Sequence, residues 1–208
     1  MNAPEAVLYV VDDEPALRQA IGLLARSVQL RAQLFASAEE FLDGFRPQAP
    51  AALVLDVRMP GMGGLALLER LRALGSPVPV IVMTGHGDIA MAVRAMKAGA
   101  LDFIEKPFQD DTLLARVREA LALSARGAGR AAQRAQACER LAGLTPRERD
   151  VLAGIVEGKL NKQIADRLGL STCTVELHRA HIMDKTGARS ASELVRWSVL
   201  AGEEVAGI

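Results

Sequence analysis

Up to about residue 126 the chain alternates short apolar runs with longer stretches whose apolar positions recur every three or four residues. Val7 to Val11 is an unbroken apolar run stopped by Asp12, Asp13 and Glu14. Pro15 then stands where a helix would begin, and Leu17, Ile21 and Leu24 follow at helical spacing. The unit recurs four more times. Arg31–Phe35 precedes a helix capped by Ser37, with Glu40 three residues on as its box partner. Ala52–Leu55 ends at Asp56, bounded by Pro50 before and Pro60, Gly61 and Gly63 after, and Leu65–Leu74 is helical. Pro77–Met83 ends at Thr84, and Asp88 caps a helix over Ile89–Ala98 that Gly99 stops. Asp102–Glu105 leads into Lys106 and Pro107, and Asp110 starts a helix running toward Arg126. Runs that are apolar throughout belong to strands buried on both faces, and their alternation with helices predicts a parallel sheet with right-handed crossovers. Five such units suit a flavodoxin-like α/β fold with a five-stranded parallel sheet, in which the first and third strands flank the switch point.

The pattern changes at Ser124–Ala137, where small and basic residues replace the apolar periodicity. This is a linker, and its good helix formers over Arg130–Leu141 make it a semi-rigid helical connector. Its arginines are either a solvated face or a contact to an anionic partner. From Leu144 the periodicity is helical only. Thr145 caps a helix beginning at Pro146, with Glu148 as box partner, and Gly158 ends it. Asn161–Leu168 is a second helix stopped by Gly169, Ser171 or Thr172 caps a third reaching about Lys185, and Ser190 starts a fourth. The result is an all-α four-helix domain whose middle is helix, short Gly-containing turn, helix. On topology alone a small protein-docking bundle is the equal alternative. The expected division is 1–126, a linker over 127–143, and 144–208.

Composition adds bounds. Half of the 208 residues are apolar, enough for two cores. Cys138 and Cys173 match no metal or disulfide spacing, and no basic region precedes the N-terminal apolar stretch, which suits a reducing cytoplasm. No apolar run approaches the roughly 20 residues of a membrane span. Net charge is zero, with acids in slight excess up to residue 126 and bases in slight excess after it, a weak hint of nucleic acid.

The chemistry lies at the strand ends. Asp12, Asp13, Asp56, Thr84 and Lys106 all fall at carboxyl ends of predicted strands, where open α/β sheets form their sites. Asp56 alone would read as a loop cap. Three clustered carboxylates repel one another unless a cation shares the site, which asks for a hard, oxygen-bound metal such as Mg2+. A carboxylate oxygen left free is a nucleophile toward a phosphoryl group, with Lys106 and the Thr84 hydroxyl stabilising the phosphoryl oxygens. Arg58 and His86, each two residues past a site residue, are placed to screen hydrolytic water and tune dephosphorylation.

The ordered set DDE at 12–14, LDVRMPGM at 55–62, MTGHGD at 83–88 and EKPF at 105–108 resembles a two-component receiver domain of the FixJ type over residues 6–126. The resemblance implies that Asp56 accepts phosphoryl from a sensor histidine kinase. It also implies that Asp13, Asp56 and the Arg58 backbone carbonyl bind Mg2+, supported by Asp12 through water. Phe103 matches the switch aromatic that works with Thr84. The family often has Tyr there, whose hydroxyl this chain lacks, and the alternative for Phe103 is a core ring. A rival class, phosphohydrolases that turn over through an aspartyl phosphate, typically shows DxD after the first strand, and its connections enclose substrate; here DDE stands there and the connections are short.

Residues 144–200 resemble the LuxR-type DNA-binding domain, on the string LTPRERDVLAGIVEGKLNKQIADRLGLSTCTVELHRAHIMDKTGARSASELV. The resemblance puts the third helix in the major groove, with Glu176, Leu177 and Ala180 facing bases and Val175 and Ile182 in the core. Lys162, Arg179 and Lys185 are phosphate-contact candidates or solvated cations. His178 and His181 read as surface or groove residues. Glu176 either accepts from cytosine or points to solvent, pairing with Arg179. Receiver and LuxR-type domain in one chain resemble the FixJ/NarL class of response regulator. The implied function is phosphorylation-controlled transcription regulation, with promoter DNA and RNA polymerase as partners and a homodimer formed on the helix that carries Val93, Arg94 and Lys97.

Overall fold

The five expected strand segments become five parallel strands: β1 (Val7–Val11), β2 (Arg31–Phe35), β3 (Ala51–Asp56), β4 (Val80–Thr84) and β5 (Asp102–Glu105), side by side in the order β2-β1-β3-β4-β5. This is the flavodoxin-like order expected. The computed structural model describes residues 5–85 and 89–202, so the Asp88 cap and His86 lie outside the described residues. Helices α1 (Pro15–Ser27), α2 (Ala38–Gly44), α3 (Gly64–Ala73) and α4 (Ile89–Lys97) connect the strands, and α5 (Asp110–Ala142) follows the last one.

The unbroken apolar runs are explained by burial on both faces. Val7, Tyr9 and Val11 of β1 point to one side, where Leu53, Leu55, Val80 and Val82 join Phe41 of α2 and Leu67, Leu68 and Leu71 of α3. Leu8 and Val10 point to the other, with Val54, Ile81, Met83 and Ile104 against Ile21 of α1 and Leu113, Val117 and Ala120 of α5. Fully burying one such side chain contributes about 1.5–3 kcal/mol, so both layers resist any slip of a strand by one residue. Tyr9 sits among Phe35, Phe41 and Phe45, and its hydroxyl donates to the Arg46 carbonyl at 2.8 Å, which satisfies the one polar atom of that cluster.

Three details differ from the sequence pattern. Strand β4 starts at Val80, because Pro77 and Pro79 have no N–H to give a ladder; the Pro79 carbonyl still accepts from Leu53 N–H at 2.9 Å. At α2 the Ser37 hydroxyl accepts from Glu40 N–H as expected, but the Glu40 carboxylate bonds the Ala36 N–H rather than that of Ser37. The helix expected to end near Arg126 continues to Ala142. Gly127 and Gly129, each costing about 1 kcal/mol relative to alanine in a helix, are carried by the Ala, Arg and Gln around them.

The chain divides into two units between Ala128 and Gly129, within α5. The second contains α6 (Pro146–Val156), α7 (Asn161–Leu168), α8 (Thr172–Thr186) and α9 (Ala191–Ala201). Its core gathers Val151, Leu152, Ile155, Ile164, Val175, Ile182, Leu194 and Trp197, and it draws in Ala137 and Leu141 from the stretch whose sequence reads as connector. Arg140 lies 4.6 Å over the Trp197 ring and donates to the Thr186 carbonyl. Ser171 is the cap of α8, and the left-handed Gly169 and Gly187 end α7 and α8. Among the described residues no helix is long and apolar enough to cross a membrane.

Thr145 and Glu148 form the full capping box of α6. Glu148 is only 3% exposed. Its Oε2 accepts from Lys185 Nζ at 2.8 Å, from Thr145 N–H at 2.8 Å and from the Thr145 hydroxyl at 3.0 Å. The Lys185 hydrogen bond first, then those from Thr145, hold its pKa down to about 2, against burial. A carboxyl depressed in the folded state stabilises above its unfolded value, near 4.5, and that contribution is lost as pH falls toward about 2. Trp197, the chain's one tryptophan, reports on this unit. In urea unfolding followed by its fluorescence, Glu148→Gln is expected to be less stable than wild type at pH 6, with the gap closing as pH falls from 4.5 toward 2. A gap unchanged at pH 2.5 would contradict this account.

Candidate functional site

Sheet order brings the strand-end residues together. Val11 of β1 pairs with Leu55 of β3, so the next residues, Asp12 and Asp56, emerge side by side. Asp56 is level with Met83 and Thr84 with Glu105, which places Thr84 and Lys106 along the same edge. Asp12, Asp56 and Thr84 are buried and Asp13 is exposed. Lys106 Nζ lies 2.8 Å from Asp12 Oδ2 and 2.9 Å from Asp56 Oδ1, so one ammonium bridges two carboxylates. The Lys106 backbone N–H donates to the Thr84 carbonyl at 2.7 Å, and Asp12 Oδ1 accepts from Glu14 N–H at 2.8 Å.

Burial raises the Asp56 pKa; the Lys106 hydrogen bond and charge offset this in part, and the charges of Asp12 and Asp13 add to it. For Lys106, burial works to lower the pKa, but its bonds to Asp12 and Asp56 together outweigh that and raise it. The two directions agree physically. Attraction favours the charged form of both partners, and only Asp56 also carries two like-charged neighbours.

Asp12, Asp13 and Asp56 each offer a carboxylate oxygen within 4.8 Å of the others. Three anionic groups against one ammonium leave a deficit of positive charge, and the donors are all hard oxygens, which fits a divalent cation such as Mg2+. A cleft of about 540 Å³ beside Glu14 and Lys106 is walled by Leu17, Leu24, Pro107 and Phe108.

Two glycines shape the backbone here. A Cβ on Gly64 would run into the Asp56 carbonyl oxygen, so the first turn of α3 can sit against the backbone of Asp56 only because residue 64 is glycine. A Cβ on Gly85 would strike the Arg58 guanidinium, so the Arg58 side chain crosses over the residue that follows Thr84. Neither role was foreseen from sequence, although consecutive glycines opening a helix were the available signal for Gly64. Phe103 is 45% exposed and is not a core ring. On α4, Val93, Arg94 and Lys97 are exposed, together with Met96.

In the second unit, Val175 and Ile182 are fully buried in the core while Glu176, Leu177 and Ala180 are exposed on α8, Leu177 at 55%. Lys162 is exposed in the first turn of α7, and Arg179 is half-buried. Lys185 is engaged by Glu148, a pairing the sequence pattern did not suggest. Glu176 takes a long contact from Asn161 Nδ2 at 3.5 Å, and the alternative pair with Arg179 is not formed. His181 is exposed, and His178 is half-buried with Nδ1 shielded from solvent.

Comparison with known proteins agrees with both halves. The family model "Response regulator receiver domain" matches residues 8–118, and "Bacterial regulatory proteins, luxR family" matches residues 142–198. The transcriptional regulatory protein FixJ of Azorhizobium caulinodans is 47% identical over 96% of this chain and 95% of its own length. FixJ of Bradyrhizobium diazoefficiens is 44% identical over 94% and 95%. Among solved structures, the response regulator StyR matches with a TM-score of 0.84 at 40% identity, covering 94% of this chain and 98% of that one. The structure described as FixJ-N matches with a TM-score of 0.53 at 40% identity over 60% of this chain and 96% of that one. An acid cluster bridged by lysine at the sheet's carboxyl edge, a helix-turn-helix unit after it, and these likenesses over nearly the whole chain make the protein a member of the DNA-binding response regulator family, with a receiver domain and a luxR-type domain that regulate transcription.

Proposed function

We propose that Asp56 is the phosphoacceptor and that a sensor histidine kinase is the donor. The observation that carries this is the Lys106 ammonium held between Asp12 and Asp56 with Asp13 alongside. Lys106 occupies one oxygen of Asp56 and leaves the other to attack phosphorus while the donor's bond to phosphorus breaks in line. Lys106 then pairs with a phosphoryl oxygen and the Thr84 hydroxyl donates to another. Asp13, Asp56 and the Arg58 carbonyl would hold Mg2+, with Asp12 acting through water. When bound, the cation supplies charge neutralisation between the acids and the phosphoryl oxygens. The cleft beside Lys106, with its apolar walls, suits a docking helix of the donor. Arg58, lying over Gly85, and His86 would screen the acyl phosphate from water. The protein catalyses only its own phosphorylation and dephosphorylation in this scheme, and works in the cytoplasm.

Acetyl phosphate with Mg2+ is expected to label wild type at a single site and to leave Asp56→Asn unlabelled. Labelling of Asp56→Asn at the wild-type rate would overturn the assignment, and steady turnover of a phosphate ester would favour a hydrolase. After donor removal, Arg58→Ala combined with His86→Ala is expected to change the lifetime of the phosphorylated protein at least severalfold, and an equal lifetime would remove both residues from the scheme.

Phosphorylation would draw Thr84 inward and let Phe103 follow from its exposed position, remodelling the surface of α4 and β5. Val93 and Met96 of α4 and Phe103 of β5 are exposed apolar residues, and with the exposed Arg94 and Lys97 they would suit a second copy of this chain. Shifting a two-state element from 1:99 to 99:1 takes about 5.5 kcal/mol, within reach of several charge-assisted bonds. Sedimentation at roughly tens of micromolar is expected to show dimers of the phosphorylated protein, lost on Val93→Asp; a phosphorylated monomer would exclude this surface as the output.

On DNA, α8 would lie in the major groove of double-stranded promoter sites, with RNA polymerase the further partner. Glu176, Leu177 and Ala180 would face bases, and Lys162, Arg179 and Lys185 would contact phosphates, Lys185 by releasing Glu148. Without an Arg179 pair, Glu176 is available to accept from cytosine N4, a contact worth about 1–3 kcal/mol of discrimination. Selection from random operators at one salt concentration is expected to relax at one position of each half-site for Glu176→Ala. Lys162→Ala should weaken all sequences alike and reduce the salt slope by about one. Identical preferred sequences for wild type and Glu176→Ala would end the cytosine assignment.

A further inference from the structure

We propose that Glu39 is a positioning residue for the acid cluster: from α2 it clasps the loop after Asp56 and fixes the backbone that presents the Arg58 carbonyl. The proposal rests on the reading above, in which that carbonyl is a Mg2+ ligand. Glu39 Oε1 accepts the Met62 N–H at 2.9 Å across 23 positions of sequence. Gly61, between the two ends of the loop, has φ of 72°, and a Cβ there would stand 2.9 Å from Glu39 Oε1. A side chain at 61 would thus be strained and would also push into the clasp.

The other end of the loop is held by the sheet. Val57 N–H donates to the Met83 carbonyl at 3.1 Å, and the Val57 carbonyl accepts from Gly64 N–H at 3.0 Å. Val57 and Met59 are both buried. The stretch from Arg58 to Gly61 therefore runs from a sheet anchor, past the buried Met59, to the Glu39 carboxylate. Helix α2 does not need Glu39 for its own end, because the adjacent Glu40 bonds the Ala36 N–H there and Ser37 caps. Glu40 turns back to Ala36, while Glu39, which also meets its own N–H and the Ser37 hydroxyl, reaches on to the loop. The Met62 hydrogen bond, first, lowers the Glu39 pKa, so the acceptor is an anion and the bond is charge-assisted.

Outer groups that orient a metal site typically account for 10- to 100-fold in metal affinity, and Glu39 acts at one remove further, through the backbone, so about the lower end is expected. The test uses the full chain, with Mg2+ titrated against the amide shifts of residues 12–13 and 56–58, and with hydrogen exchange of the Met62 amide measured in metal-free buffer. Glu39→Ala is expected to raise half-saturating Mg2+ about tenfold and to speed Met62 exchange by a similar factor. Glu39→Gln, which keeps an acceptor oxygen at the same reach, is expected to recover most of both, and it carries the test alone if the alanine variant fails to fold. Wild-type half-saturation in Glu39→Ala, or equal losses in both variants, would overturn the proposal. Failure of wild type itself to bind Mg2+ would overturn the underlying reading and this proposal with it.

Discussion

The interaction on which the first unit depends is the bridge from the Lys106 ammonium to the carboxylates of Asp12 and Asp56. The three central strands, β1, β3 and β4, are buried on both faces and have no room for charge before their last residue, so charged groups collect where they end. Bringing three acids to one edge costs desolvation and mutual repulsion, and a single lysine, Lys106, just past the edge strand β5 compensates only part of it. The remaining deficit of positive charge makes the cluster a place for a divalent cation and an acceptor for a phosphoryl group. Stability and chemistry are thus in tension at one point, and the apolar layers on either side of the sheet stabilise it enough to tolerate the cost.

The backbone around the bridge is fixed by features that carry no charge. Gly64 lets α3 rest against the carbonyl of Asp56, and Gly85 leaves a path for the Arg58 side chain. Positions without side chains decide here where the side chains of others can go. The loop after Asp56 is tied at Val57 to the sheet and at Met62 to Glu39, so a group on the helix before β3 helps hold the acceptor's surroundings.

The second unit applies the same economy of buried charge to a different end. Glu148 caps its own helix and receives Lys185 from near the C-terminus of α8, which ties the first helix of the unit to the last turn of the helix that carries the exposed Glu176, Leu177 and Ala180. Val175 and Ile182 occupy the buried side of that helix, so the exposed side has no packing duty. A helix oriented by its core and by one ion pair can present a variable face without losing its place.

The apolar runs, the proline and glycine punctuation and the capping residues were enough to place the five strands and, apart from the merging of α5 with the expected connector, the helices of the described residues to within a few positions, because each signal is local: Val7–Val11 is an unbroken apolar run, and Thr145 with Glu148 caps α6 by itself. The strand-end acids were legible for the same reason, since a buried strand delivers its last residue to the sheet's edge. What the tertiary structure alone decided involves partners distant in sequence. Lys185 read as a phosphate contact or solvated cation until packing brought it to Glu148, Glu176 takes its contact from Asn161 rather than the alternative Arg179, and Phe103 is exposed rather than in the core. Neither the clasp of Glu39 on Met62 nor the need for glycine at 64 leaves a periodicity in the chain, because each arises from two backbone segments meeting in space, which local propensity does not encode.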